Sequence, residues 1–95
     1  MSTVLSDAEI RQVLQQLPGW KQNGKAIERV FQFENFVKAM EFVNHIAEAA
    51  EAVNHHPDIL INYNKVTLTL LSHDSGGVTQ RDIKMAGRIN ELAPV

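Results

Sequence analysis

Apolar positions along the chain switch between helical and strand periods, and each switch marks a boundary. Ile10, Val13, Leu14 and Leu17 recur at helical spacing behind Ser6-Asp7-Ala8-Glu9, which has the form of a capping box whose hydroxyl and carboxylate take up free backbone donors. Pro18-Gly19 ends that helix. Residues 20–22 and 26–33 then read as two antiparallel strands around Asn23-Gly24, a dipeptide that readily supplies positive φ at a tight turn. In the second strand Ile27, Phe31 and Phe33 share a face. From an Asn35 cap a longer helix follows. Its expected buried stripe is Phe36, Met40, Val43, Ile46, Ala47, Ala50 and Val53, while Lys38, Glu41, Asn44, Glu48 and Glu51 face out. Pro57 disfavours helical geometry at His56, so this helix is expected to stop at about Asn54.

Residues 59–62 and 65–72 form a second strand pair joined through Tyr63-Asn64. Val66, Leu68 and Leu70 alternate with Thr67, Thr69 and Leu71, which puts His73 on the threonine side. Asp74-Ser75-Gly76-Gly77 is a loop, and Thr79-Gln80-Arg81-Asp82 is a second capping box, opening a helix with Ile83, Met85, Ala86, Ile89 and Leu92 as its apolar positions. The order α-β-β-α-β-β-α, with both strand pairs made by hairpins, predicts an α+β fold: a four-stranded antiparallel sheet with helices packed on one face. The other face and the open edges then need covering, which predicts a homo-oligomer, dimer or tetramer.

Length and charge narrow the class. Ninety-five residues, 44% of them hydrophobic and 21% charged, make one domain spanning 1–95. Nine basic against eleven acidic side chains, with no basic run, exclude a nucleic-acid footprint. The absence of cysteine excludes a disulfide scaffold, a thiolate metal site and a cysteine nucleophile. The most apolar stretch, residues 36–53, is interrupted by Lys38, Glu41, His45, Glu48 and Glu51, so no membrane span is expected, nor a leader segment at the N-terminus. A cytoplasmic protein is the expectation.

Candidate chemistry sits in the histidines. There are four, and His55, His56 and His73 fall within nineteen positions. Glu51 precedes His55 by one helical turn, so its carboxylate is expected to orient that imidazole. His45, at the margin of the apolar stripe, is read as structural. Three imidazoles and a water would make a zinc sphere, but no H-E-x-x-H helix or carboxylate cluster accompanies them. Neither does Gly-x-Ser-x-Gly surround Ser75 to support a serine triad with His73 and Asp74. Metal-free acid–base chemistry fits best, because imidazole offers both protonation states near neutral pH. Composition and spacing do not name a substrate.

The pattern of Glu51, His55-His56-Pro57, Tyr63, His73 and Asp82 resembles the signature of the pterin-4a-carbinolamine dehydratases, also called dimerisation cofactors of the hepatocyte nuclear factor. The similarity extends through Gly19-Trp20, the Phe-rich segment 31–36, Tyr63-Asn64-Lys65-Val66 and Arg81-Asp82-Ile83, nearly the whole chain. It implies dehydration of 4a-hydroxytetrahydropterin to quinonoid dihydropterin, which recycles the cofactor of aromatic amino acid hydroxylases and needs no metal or redox cofactor. Carried over by position, His55 and His73 resemble the proton donors to the leaving hydroxyl, on opposite faces of the pterin, and His56 the residue that binds substrate or acts as base. Glu51, Pro57, Leu71, Ser72, Asp74 and Asp82 are the further substrate contacts it implies, with Asp82 also readable as the third residue of its capping box. The sequence departs from the commoner pattern at Ile59, where many members have Trp, and at Asn54, where many have Asp. Animal members also bind a transcription factor's dimerisation helices, so an interaction module, in the nucleus as well as the cytoplasm, is the alternative the resemblance carries.

Overall fold

The computed structural model describes residues 3–94. The elements are α1 (Asp7–Leu14), β1 (Lys21–Asn23), β2 (Ala26–Gln32), α2 (Phe36–Val53), β3 (Asp58–Asn62), β4 (Lys65–Leu70) and α3 (Gln80–Leu92), in the α+β order that the pattern predicts. Each helix begins at a side-chain cap. The Ser6 hydroxyl accepts from the Glu9 amide at 3.1 Å and the Ser6 amide donates to the Glu9 carboxylate at 2.8 Å. Asn35 accepts from the Lys38 amide at 2.9 Å, and Thr79 and Asp82 close the second capping box. At the other end of α2, Asn54 adopts the left-handed conformation, φ 52°, and ends the helix where Pro57 requires it to end.

The four strands are all antiparallel, in the order β1-β2-β4-β3. The first hairpin turns one residue later than expected. Asn23 pairs with Ala26, so the turn residues are Gly24 and Lys25, with Gly24 at φ 60° in the first central position, where a type II′ turn requires glycine. The second hairpin turns at Tyr63-Asn64 as predicted, and Asn64 clasps the end of β2: its side chain donates to the Phe33 carbonyl at 3.0 Å and its carbonyl accepts from the Phe33 amide at 2.8 Å.

The helix-covered face of the sheet contributes Ile27, Phe31, Val66, Leu68 and Leu70 to one hydrophobic cluster with Ala39, Phe42, Ile46 and Ala50 of α2 and Met85, Ala86 and Ile89 of α3. This corrects the expected stripe of α2. Ile46 and Ala50 are buried, but Phe36, Ala47 and Val53 are exposed, Met40 and Val43 are half-buried, and Ala39 and Phe42 fill the core instead. The helix carries apolar side chains on more than one face, so its phase is fixed by tertiary packing. Phe42 sits between Phe31 and Phe33, with ring centroids 4.8 and 5.0 Å away.

Gly19-Trp20, singled out by the resemblance, anchors the chain between α1 and β1 to α3. The Trp20 indole donates to Asn90 at 2.8 Å, and the Arg29 guanidinium donates to the same oxygen at 2.6 Å and to the Pro18 carbonyl at 2.8 Å. Gly19 sits at φ +86°, in the left-handed region that favours glycine, with the Arg29 side chain packed against it. On the opposite face of the sheet, Val30 and Leu60 flank Thr67 from either side and are exposed.

Candidate active site

Asn54 reverses the chain after α2, and the His55 amide reaches back to the Ala50 carbonyl at 3.1 Å, the long bond of a Schellman ending. That reversal turns His55 inward. Its side chain is 11% exposed, and Nε2 lies 2.6 Å from Oδ1 of Asp82, whose side chain is fully buried. The other oxygen of Asp82 accepts from the Thr79 amide at 2.9 Å and from the Ser72 hydroxyl at 2.8 Å. Ser72 and Thr79 Oγ atoms are 2.8 Å apart, and Thr79 Oγ1 accepts from the Arg81 amide at 3.3 Å.

The proton directions in this network follow from counting donors. A carboxylate only accepts, so the Ser72 hydrogen points to Asp82, and the hydrogen between the two hydroxyls must come from Thr79. The chain runs one way, from the Arg81 amide through Thr79 and Ser72 to Asp82, which in turn takes the Nε2–H of His55. Asp82 is therefore both the capping residue of α3 and the group that orients an imidazole; the two readings of this residue are compatible because it has two oxygens. With Nε2 engaged, Nδ1 is the ring nitrogen of His55 left open, having no hydrogen-bond partner among the described residues.

His56 is placed differently. It is 52% exposed and its Nε2 contacts the Glu51 carboxylate, itself 76% exposed. The expected pairing of Glu51 with His55 is thus corrected. The one-turn spacing applies only inside a helix, and the left-handed Asn54 breaks it, handing Glu51 to His56. Pro57 is buried at the entry to β3, and Ile59, where the sequence departs from the resembled pattern, is an exposed strand residue.

The segment after β4 is held by a bridge between Ser72 and Gly77 and by the Ser72 carbonyl accepting from the Ser75 and Gly76 amides at 3.0 and 2.9 Å. Ser72 is directed inward to Asp82, and His73, next in the chain, is exposed at the start of the turn that follows β4, one residue from the His55 network. Leu71 is half-buried. Asp74 is exposed and bound by the Arg81 guanidinium, which holds its carboxyl below the usual range. The structure therefore brings His55, Ser72 and Asp82 into one buried network and leaves Glu51–His56, Asp74–Arg81 and His73 outside it. Thr79 was legible only as a cap. Its second use, passing a hydrogen bond to Ser72, depends on a contact across seven residues that no local pattern encodes.

A cleft of about 450 Å³ between the C-terminal turns of α2 and the Arg81-to-Arg88 stretch of α3 has His55 in its lining. A second cleft, of about 500 Å³, lies at Phe33, Phe42 and Leu92 and includes His45, which is exposed there rather than part of the core. Among the described residues no group of three or more His, Cys, Asp or Glu is placed to hold a metal ion. No helix is long and apolar enough to cross a membrane among them either.

Residues 3–92 match the family model described as Pterin 4 alpha carbinolamine dehydratase. A curated relative from Koribacter versatilis, named "Putative pterin-4-alpha-carbinolamine dehydratase", is 61% identical over 94 residues, covering 99% of this chain and 100% of that protein. A solved structure titled transcriptional coactivator/pterin dehydratase, from Brucella melitensis, superposes with a TM-score of 0.93 at 38% identity, covering 97% of this chain and 100% of that one. A more distant structure, of a pterin dehydratase-like protein described as a RuBisCO assembly factor in the alpha-carboxysome, shares the fold with a TM-score of 0.69 at 23% identity, covering 79% of this chain and 89% of that one.

Proposed function

The chain belongs to the pterin 4 alpha carbinolamine dehydratase family, and from that membership we propose that it dehydrates 4a-hydroxytetrahydropterin to quinonoid dihydropterin, returning the pterin cofactor of aromatic amino acid hydroxylation to use in the cytoplasm. The C4a–O bond breaks as the N5 lone pair forms a C4a–N5 double bond. The departing hydroxyl takes a proton and leaves as water, while N5 gives its proton to a base. Oxidation state is conserved, so one acid and one base complete the reaction.

The observation that carries this reading is the His55–Asp82 pair, an imidazole oriented by a buried carboxylate whose remaining oxygen is fully occupied. His55 and His73, from a helix end and a strand end, serve as donors to hydroxyls on opposite faces of the ring, and His56, turned to solvent, binds the substrate or takes the N5 proton. Pro57, Leu71, Ser72 and Asp74 contribute backbone or side-chain contacts around them. The test is stopped-flow dehydration of freshly generated 4a-hydroxytetrahydropterin. Acceleration over buffer that survives exhaustive chelation is the expected result, and no acceleration at all would overturn the reading.

A second reading, an interaction module, is favoured by exposed Val30 and Leu60 on the open sheet face and exposed Phe36 and Val37 on α2. The partner these surfaces fit first is another copy of the chain, as a dimer or tetramer. Light scattering is expected to give at least a dimer at micromolar concentration; a monomer would remove the self-association part.

A further inference from the structure

Three of the nine lysine and arginine side chains, Arg81, Lys84 and Arg88, line the same cleft as His55, although the chain as a whole carries a formal charge of −2. Their spacing along α3 puts them on one face of that helix. The opposite wall is Ala49, Ala52 and Val53 of α2, small and uncharged, with buried Met85 between. Two carboxylates answer these cations, and neither lines the cleft. Asp74 binds Arg81 from the loop after β4, and Glu91 stands 3.6 Å from Arg88 as an exposed pair, a weak association. Lys84 has no ion-pair partner among the described residues. Arg81 Nε is buried and lacks a hydrogen-bond acceptor among those residues. The cleft is an apolar slot with a cationic rim and an imidazole in its lining, at about 450 Å³ within the size of small-molecule sites.

We infer that this cleft receives an anionic group, a phosphate ester or a carboxylate, carried by the molecule on which His55 acts. Resting on the dehydratase reading, this makes the substrate a pterin with an anionic side chain, its ring at His55 and its charged end between Lys84 and Arg88. A carboxylate or phosphate is matched by guanidinium and ammonium donors, while the apolar wall of α2 accommodates the linking atoms.

The test compares three 4a-hydroxytetrahydropterins that differ only in a side chain ending in methyl, carboxylate or phosphate monoester, with the wild-type protein and the Lys84→Gln/Arg88→Gln double variant. In the wild type an anionic side chain is expected to raise kcat/KM about tenfold through KM, and the advantage should collapse both in the double variant and between about 0.05 M and about 0.5 M salt. A larger gain for phosphate than for carboxylate identifies the ester, and the reverse identifies the acid. Equal kcat/KM for all three substrates in the wild type, or an advantage that survives the double substitution, overturns the inference. If none of the three is dehydrated, the dehydratase reading fails separately. The cleft is then judged by fluorescence titration with the oxidised forms of the same pterins. Tighter binding of the anionic forms that the double variant loses sustains the site, and equal binding overturns it.

Discussion

His55 and His56 are adjacent in the chain, yet one lies in a buried hydrogen-bond network and the other on the surface. The His55 ring is fixed by Asp82, which is fixed in turn by Thr79 and Ser72, so its open nitrogen points in one direction. The His56 ring is held only by Glu51, with both side chains more than half exposed. A surface pair of this kind is worth roughly 0–1 kcal/mol, whereas removing one partner from a buried charged network costs roughly 3–5 kcal/mol. The difference teaches that a pair of neighbouring histidines need not be one functional unit. After the left-handed Asn54, one imidazole is held inward by Asp82 and the next stays on the surface with Glu51.

The largest effects expected are on rate. Within the proposed mechanism, His55→Ala and His73→Ala should each slow dehydration on the order of a hundredfold to ten-thousandfold, preferentially for opposite C4a epimers, since a donor on one face cannot reach the hydroxyl on the other. His56→Ala should impair both epimers alike. Equal slowing of both epimers in the His55 and His73 variants would break the two-faced assignment, as measured with each epimer generated separately. In stability the contrast runs through the carboxylates. Asp82→Ala strips the capping box, the Ser72 hydroxyl and His55 of their acceptor at once and is expected to cost about 3 kcal/mol or more in urea unfolding, while Glu51→Ala should stay within about 1 kcal/mol. Ser72→Ala is intermediate, roughly 1–3 kcal/mol, because it removes one donor to Asp82 and leaves the Thr79 hydroxyl without its acceptor. An Asp82 variant as stable as the Glu51 variant would show that burial confers nothing on this site.

Much of this was readable in the chain, because much of it is local. Ser6, Asn35 and Thr79 cap the helices the pattern assigned to them, and Pro57 places the end of α2. The first hairpin slipped by one residue, since Asn23-Gly24 and Gly24-Lys25 both offer Gly24 its positive φ and strand pairing decides between them. The phase of α2 was not readable. With Phe36, Val37 and Val53 apolar but exposed, the hydrophobic stripe had more than one solution until Phe42 met Phe31. The same limit governed the site. The residues of the network carry their signal one by one, as a cap, a strand end and a histidine, but the pairing of Asp82 with His55 spans twenty-seven positions and exists only once α3 docks beside the end of α2. The cationic face of α3 was present as Arg81, Lys84 and Arg88 at helical spacing, and only the cleft gives it a purpose.

The smallest effect expected tests how far the buried network is insulated from the exposed pair beside it. Arg81 belongs to both: its backbone amide donates to Thr79, and its guanidinium binds Asp74. The guanidinium hydrogen bond is the main reason the Asp74 carboxyl titrates below the usual range, with burial opposing it. A carboxyl whose folded value lies below its unfolded one adds stability above the unfolded value and loses that contribution as pH falls through the folded one. Arg81→Ala removes the guanidinium and keeps the amide. Asp74 should then titrate higher, toward the ordinary carboxylate range, in a carbon-detected NMR titration, and its part of the stability lost on acidification should vanish. The urea midpoint at neutral pH should move far less than in Ser72→Ala, because the chain from the residue 81 amide through Thr79 to Asp82 is intact. If Arg81→Ala instead destabilised the protein as much as Ser72→Ala, the surface pair and the buried network would be one energetic unit, and the separation between the two histidines would have to be redrawn to include the loop that carries His73.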